Sequence, residues 1–326
     1  MALSGKKLLE VRDLYTYYQT RLGEKIKAVN GVSFDLEEGE ILGVAGESGC
    51  GKSTLGISIS GLFPPPLKYG KGSVKLDGIE LTNINQSKLR REILGKKLSF
   101  IPQSAMNALN PTLKVKKFVI DLVKEHEPEL SEDEILKRAA ERFESLSLPR
   151  RVLDAYALEL SGGMKQRTIV VISTMMNPEV VIADEPTSAL DVSSQKIVIK
   201  LIKQLFEEKI IKSVIFITHE LPILRHIATK IAVMYAGEFV EVGTMEQVIF
   251  DPVHPYSNAL MNSIIVPEKG IKGKKLPSIP GAPPDPRLDI KGCRFAERCP
   301  LATDECKKAP IEMREVKGRL VRCIKV

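Results

Sequence analysis

A short apolar run, Ile41-Leu-Gly-Val-Ala45, passes directly into Gly46-Glu-Ser-Gly-Cys-Gly-Lys-Ser-Thr54. Few chains can satisfy that junction. The glycines let successive backbone N–H groups converge on one point, and the helix that follows adds its own unpaired donors. Such a loop suits a phosphate, and its setting is a strand–turn–helix unit. Gly46, Gly51, Lys52 and Ser53 stand at the P-loop positions. The pattern predicts that Lys52 reaches the β- and γ-phosphates, Ser53 ligates Mg²⁺ and Thr54 supports the α-phosphate. Glu47, Ser48, Gly49 and Cys50 complete the loop as phosphate-site candidates. Cys50 also reads as a passive small residue.

A second phosphate-ready helix start lies at Leu160-Ser-Gly-Gly-Met-Lys-Gln-Arg167. It precedes a continuous apolar strand, Val180 to Ala183, that ends in Asp184-Glu185. A strand of this kind aims Asp184 at a metal from its carboxyl end. Glu185, next along, is placed to orient or deprotonate a water. Alone, an acidic pair after a strand is more often a helix cap, and the P-loop is what gives this one weight.

The remaining chain reads as strands alternating with helices. Residues 8–18 and 25–44 are short β-segments, with Val32, Phe34 and Leu36 alternating with polar partners. Val74–Gly78 is a strand entering a turn. Residues 115–146 are expected to be helical with a capping box at Ser131-Glu-Asp-Glu134. Met164–Met176 is a helix stopped by Pro178, Gln195–Glu208 is another, and Val214–Thr218 is a buried strand. This alternation indicates an α/β core with a mostly parallel sheet. The helical region, about 105–177, sits within it as an insertion.

At 326 residues the chain has room for a full core and more than one domain. The N-terminus has no apolar signal segment and no apolar run approaches the length of a membrane span. A cytosolic setting is therefore expected. The net charge of +7 is concentrated in the tail: from Pro267 onward there are 15 Lys+Arg against 8 Asp+Glu, and the residues before it balance.

P-loop, Leu-Ser-Gly-Gly-Met-Lys-Gln-Arg and the Val180–Glu185 strand, in this order, resemble an ATP-binding-cassette (ABC) ATPase over roughly residues 8–265. The resemblance implies a RecA-like P-loop core with an antiparallel β subdomain and an inserted helical subdomain. It implies ATP at residues 47–54, with Mg²⁺ held by Ser53, Gln103 and Asp184, and catalysis by Glu185 and His219. Gln103 matches the Q-loop, Ser188-Ala-Leu-Asp191 the D-loop and His219 the switch histidine. Tyr18 is the choice for the aromatic on adenine, with Tyr15 and Tyr17 as rivals. Ser161, Gly162, Gly163 and Gln166 would meet the γ-phosphate held by another subunit. One P-loop and one signature per chain then require a dimer with an identical or paralogous cassette.

The tail narrows the resemblance. His254-Pro-Tyr-Ser-Asn-Ala-Leu260, Ile279-Pro-Gly-Ala-Pro-Pro284 and Cys293-Arg-Phe-Ala-Glu-Arg-Cys299-Pro resemble the C-terminal extension of dipeptide/oligopeptide importer ATPases of the D type. Expected boundaries are a nucleotide-binding domain over 1–265, a Pro-rich linker over 266–286 and the extension over 287–326. Cys293, Cys299, Cys306 and Cys323 follow the spacing C-x5-C-x6-C-x16-C, which in a reducing compartment argues for metal rather than disulfides. The lack of a CxxC pair matches a zinc ribbon poorly. Resemblance to this family implies a [4Fe-4S] cluster, with zinc and unligated thiols as alternatives. Arg294, Arg298, Lys307, Lys308 and Arg322 are candidates to offset a cluster's negative charge.

The leading reading is the ATPase subunit of a di- or oligopeptide importer at the cytoplasmic face of the cell membrane. Its partners would be a second cassette, two permease subunits and, indirectly, an extracytoplasmic peptide-binding protein. Nickel or oligosaccharide importers carry similar cassettes. A soluble ABC ATPase acting on DNA or ribosomes would use the basic tail as its contact, but the single cassette with an ordinary helical insertion disfavours it, and no nucleic acid is expected. A regulatory iron–sulfur sensor that binds ATP is the third reading, disfavoured as the main role by the complete catalytic set.

Overall fold

The computed structural model describes residues 5–103, 108–263 and 279–326. Twelve strands among them form two sheets. An antiparallel sheet takes β1 (Lys7–Gln19), β2 (Lys25–Glu37), β4 (Leu67–Leu76) and β5 (Ile79–Glu80) in the order β2-β1-β4-β5. The larger sheet contains β3 (Ile41–Ala45), β6 (Leu98–Ile101), β7 (Val180–Asp184), β8 (Ser213–Ile217), β9 (Lys230–Tyr235), β10 (Glu238–Thr244), β11 (Arg314–Val316) and β12 (Arg319–Val321). Its order is β11-β12-β10-β9-β3-β8-β7-β6.

The five strands from β9 to β6 are parallel, and β10, β12 and β11 are added antiparallel at one edge. Strands β3, β7 and β8 are buried throughout, as their unbroken apolar runs predict for a sheet covered on both faces. Alternate residues serve opposite layers. Val181, Ala183, Val214 and Phe216 face a core shared with the helices, while Val180, Ile182, Ile215 and Ile217 face the P-loop helix and the antiparallel sheet.

Several elements differ in extent from the sequence reading. β1 and β2 are single 13-residue strands, kept in register through several bulges. The expected helix over 115–146 is two helices, Val115–His126 and Glu132–Ser145. Pro128 breaks it, because proline lacks the N–H a continuing helix needs. Ser131 then restarts it with the expected capping box. The signature helix runs Gly162–Ser173, capped by Ser161, and Asp191 caps the helix Val192–Glu207.

The tail is more regular than expected. β12 pairs with β10, and Phe295, 1% exposed, enters the main core. The extension thus borrows its core from the nucleotide-binding region instead of forming one. Residues 264–278, which include the start of the expected linker, and residues 104–107, near the start of the expected helical insertion, lie outside the described residues. Among the described residues no helix is long and apolar enough to cross a membrane.

Candidate active site

Parallel strands β3, β8, β7 and β6 are consecutive neighbours, and each delivers one functional group from its carboxyl end. β3 leads into the P-loop, β8 to His219, β7 to Asp184-Glu185 and β6 to Gln103. This is where open α/β sheets bind ligands. The loop demands glycine: Gly46 has φ 155° and Gly51 φ 107°, and a Cβ on either would stand 2.2 Å from a carbonyl oxygen, of Met234 or Ala28.

A cavity in front of the loop is lined by Tyr18, Ser48, Lys52, Thr54, Gln103 and Glu185, with Gly49, Gly51 and Ser53 between them. Tyr18 also meets the Thr54 hydroxyl at 3.0 Å. Tyr15 and Tyr17 line a different cavity, on the side of the C-terminal extension. Two of the loop candidates do not line the cavity. Cys50 is buried, which pushes its thiol upward from the usual range despite nearby Lys52. Glu47 turns away, as described below.

Lys52 is 5% exposed, and its ammonium donates to the carbonyls of Gly46 and Glu47 at 2.8 and 3.0 Å. Ser53 Oγ donates to Asp184 Oδ1 at 3.0 Å. Burial pushes the Asp184 carboxyl up to about 6, with the Ser53 hydrogen bond and Lys52 opposing the shift. Glu185 carries a second arrangement. Its Oε2 accepts from Gln103 Nε2 at 2.8 Å, and its Oε1 lies 2.9 Å from His219 Nδ1. The Glu185 backbone is left-handed, φ 46°, a strained state for a non-glycine residue.

Ser161, Gly162 and Gly163 are not part of this cavity. Ser161 and Gly162 are exposed at the start of their helix, with Ser161 Oγ accepting from the Met164 N–H at 3.3 Å. Gln166, by contrast, is 2% exposed. Asp191 accepts from the N–H groups of Ser193 and Ser194, both at 3.0 Å.

Residues 29–188 match the ABC transporter family, and residues 240–306 match the oligopeptide/dipeptide transporter C-terminal region. The chain is 39% identical over 91% of its length to the oligopeptide transport ATP-binding protein OppD of Bacillus subtilis, covering 82% of that protein. The chain belongs to the oligopeptide/dipeptide importer family of ABC transporter ATP-binding subunits. It is 38% identical to the dipeptide transport ATP-binding protein DppD of Caldanaerobacter subterraneus, over 92% of this chain and 91% of that one. A dimeric ATP-binding cassette, MJ0796, solved with ADP and Pi, superimposes with a TM-score of 0.62 at 28% identity, over 73% of this chain and 98% of that chain. The larger sheet with its P-loop is thus an ABC cassette fold.

The cassette's C-terminal region contributes a feature that its motifs did not announce. His254 Nδ1 accepts the Tyr256 N–H at 3.0 Å and caps the helix Pro255–Asn262. Burial lowers the His254 imidazole to about 4, so it stays neutral and keeps its acceptor. Tyr256 is then aimed at the P-loop, where its hydroxyl accepts the Glu47 N–H at 2.9 Å.

Cys293, Cys299, Cys306 and Cys323 are free thiols lining one small cavity with Phe295, Ile311 and Ile324. Burial, with a smaller contribution from neighbouring thiols, pushes Cys293 up to about 11 and raises Cys299. The donors suit a thiophilic group in number and type. Among the described residues, however, no three His, Cys, Asp or Glu groups stand as a metal-holding set. Four of the five cations expected to offset a cluster's charge meet other partners; Lys308 is exposed. Arg298 pairs with Glu47, Arg294 with Glu238, Lys307 with Glu297, and Arg322 donates to the carbonyls of Phe239 and Ile311. In this arrangement the arginines fasten the extension to the cassette.

Proposed function

We propose that this chain is the ATP-hydrolysing, D-type subunit of an ABC importer for dipeptides or oligopeptides. It pairs with a paralogous or identical cassette and drives two permease subunits from the cytoplasmic face of the membrane. A peptide-binding protein outside the membrane would deliver substrate. The observation that carries this reading is the convergence of Lys52, Ser53, Asp184, Glu185, Gln103 and His219 at the carboxyl ends of four adjacent strands, in a chain whose C-terminal region matches the peptide-importer family.

Lys52 and the loop N–H groups hold the triphosphate, and Tyr18 packs on the adenine. Ser53 Oγ and Asp184 Oδ1 already converge and, with Gln103, would hold Mg²⁺; few protein oxygens plus phosphates is the set this ion favours. Bound there, it would neutralise charge on the β- and γ-phosphates. Glu185 accepts a proton as water attacks the γ-phosphorus and the bond to ADP breaks. Gln103 fixes the other carboxylate oxygen, and His219 holds Glu185 in place and faces the departing phosphate. Ser161, Gly162 and Gly163 serve the partner's nucleotide; their absence from the lining of this chain's own cavity supports this. Asp191, at the D-loop, faces that same junction.

Within the extension, the four cysteines are proposed to hold a [4Fe-4S] cluster, with zinc as the alternative. The presence of all four thiols in the lining of one small cavity supports this, and closing it around a metal requires the thiols to draw together. Iron and acid-labile sulfide in anaerobically purified protein, with broad absorbance near about 400 nm, is the expected result. Colourless, iron-free protein removes the cluster, and zinc content then decides the alternative.

The function is tested by co-purifying the chain with its membrane partners and measuring peptide-stimulated hydrolysis. Glu185→Gln should lower turnover by about 10²–10⁴-fold while ATP is retained. Turnover close to wild type in that variant removes Glu185 from its role. Co-purification with nucleic acid in place of a permease would favour the soluble alternative.

A further inference from the structure

Glu47 lies inside the nucleotide loop, yet its polar groups engage the C-terminal region. Its N–H donates to the Tyr256 hydroxyl at 2.9 Å. Its carboxylate accepts both terminal nitrogens of Arg298, at 2.8 and 3.0 Å, across 251 residues of sequence. Arg298 also donates to the Tyr235 hydroxyl at 3.2 Å and, through Nε, to the Pro280 carbonyl at 2.8 Å. Arg298 is 8% exposed and Tyr256 fully buried. Tyr235, Tyr256 and Phe295 pack against one another with ring centroids 4.5 to 5.3 Å apart, so the bracket is rigid.

A phosphate-binding loop needs such a bracket. Its N–H groups must converge inward, so its carbonyls and the Glu47 carboxylate must be held outward. Gly46 and Gly51 permit that shape but do not enforce it, because glycine has the most conformational freedom to lose. Glu47 also sets a carboxylate beside a site for a polyanion, where an unpaired charge repels the ligand. A bidentate guanidinium cancels the charge and fixes the peptide between Gly46 and Glu47. That peptide bears on Lys52 as well, whose ammonium donates to its carbonyl, of Gly46, at 2.8 Å and to the next, of Glu47, at 3.0 Å.

We propose that Arg298 is a positioning residue for nucleotide binding: acting through Glu47, with Tyr256 beside it, it holds the P-loop in its phosphate-accepting shape. The proposal rests on the reading of residues 46–54 as the ATP cradle.

The test is ATP affinity of the full-length chain with Mg²⁺, in a double-mutant cycle. Arg298→Met should weaken binding roughly five- to twentyfold when Glu47 is present, and by less than about twofold in a Glu47→Gln background. Equal losses in both backgrounds, or none in either, overturn it. Arg294→Met cuts the Arg294–Glu238 pair of the same extension. It should lower the melting temperature and leave ATP affinity within about twofold; a loss equal to that of Arg298→Met would assign the effect to docking of the whole extension and overturn the specific role. If Arg298→Met does not fold, Arg298→Lys, which keeps the charge and loses the fork, carries the same cycle. Lys52→Ala reports separately on the cradle: unchanged ATP binding there defeats the underlying reading, whatever the cycle shows.

Discussion

Ser53 Oγ donates to Asp184 Oδ1 across 3.0 Å, joining the first turn of the P-loop helix to the end of β7. Both atoms are oxygen donors at a site for a divalent cation, and each fixes the other's direction. Burial nevertheless raises the Asp184 carboxyl from 3.8 to about 6.

Two outcomes follow for Asp184. Mg²⁺ uptake by the nucleotide-free chain should weaken as pH falls through about 6, since a protonated carboxyl does not hold the ion. For stability the sign is opposite: between about 4 and 6 the folded chain keeps a proton that the unfolded chain has released, so this group's contribution shrinks as pH rises through that window. Asp184→Asn should therefore abolish hydrolysis yet stabilise the nucleotide-free chain at pH 7.5 by roughly 2–3 kcal/mol. Denaturant melts of both proteins with no metal or nucleotide would show it, and an unstable Asn variant would refute it.

His254 gives the reverse slope. Its folded value of about 4 lies below the ordinary 6.5, so the unfolded chain takes up a proton first as pH falls. Stability from this group is complete above about 6.5 and drains away towards pH 4. His254→Asn offers a neutral acceptor for the Tyr256 N–H and should flatten that part of the stability–pH curve.

His219 lies 2.9 Å from Glu185. His219→Ala should cut turnover by at least about tenfold while ATP affinity stays near wild type, because in the proposed mechanism the histidine holds the base, and it does not line the cavity. Equal losses in affinity and turnover would place it among the binding residues instead.

Ser161 tests the proposal that each nucleotide is shared between two chains. Ser161→Ala should leave ATP binding to its own chain unchanged and slow hydrolysis in the assembled pair; loss of the helix cap costs about 1 kcal/mol at most of sites like this one. Specific activity should also rise with protein or partner concentration. A concentration-independent rate would mean that one chain suffices.

Much of this site was legible because its motifs are local. Lys52, Ser53, Asp184, Glu185, Gln103 and His219 each sit at or beyond the carboxyl end of a strand, and parallel pairing of those strands places them side by side. The choice among Tyr15, Tyr17 and Tyr18 depended on the bulged register of β1, which the alternation of a three-tyrosine run does not reveal. The break at Pro128 was visible in the sequence and outweighed the helical periodicity on either side. Strands β9 and β10 were hidden as one apolar stretch around Ala236-Gly237, where the chain turns back with positive φ at both residues. That Gln166 is buried was not legible, because a motif records spacing and not which face of the helix is buried. No local pattern joins Glu47 to Arg298, since their pairing depends on how the whole chain closes.

That closure also sets a schedule. The ribosome makes about 5–20 residues per second. Glu47 therefore leaves the peptidyl-transferase centre roughly 12–50 s before Arg298, which is 251 positions further on. Throughout that interval the nascent cassette has its phosphate loop without the guanidinium that braces it. Full-strength ATP affinity is thus a property the nascent chain gains only after Arg298 has been made and has reached Glu47.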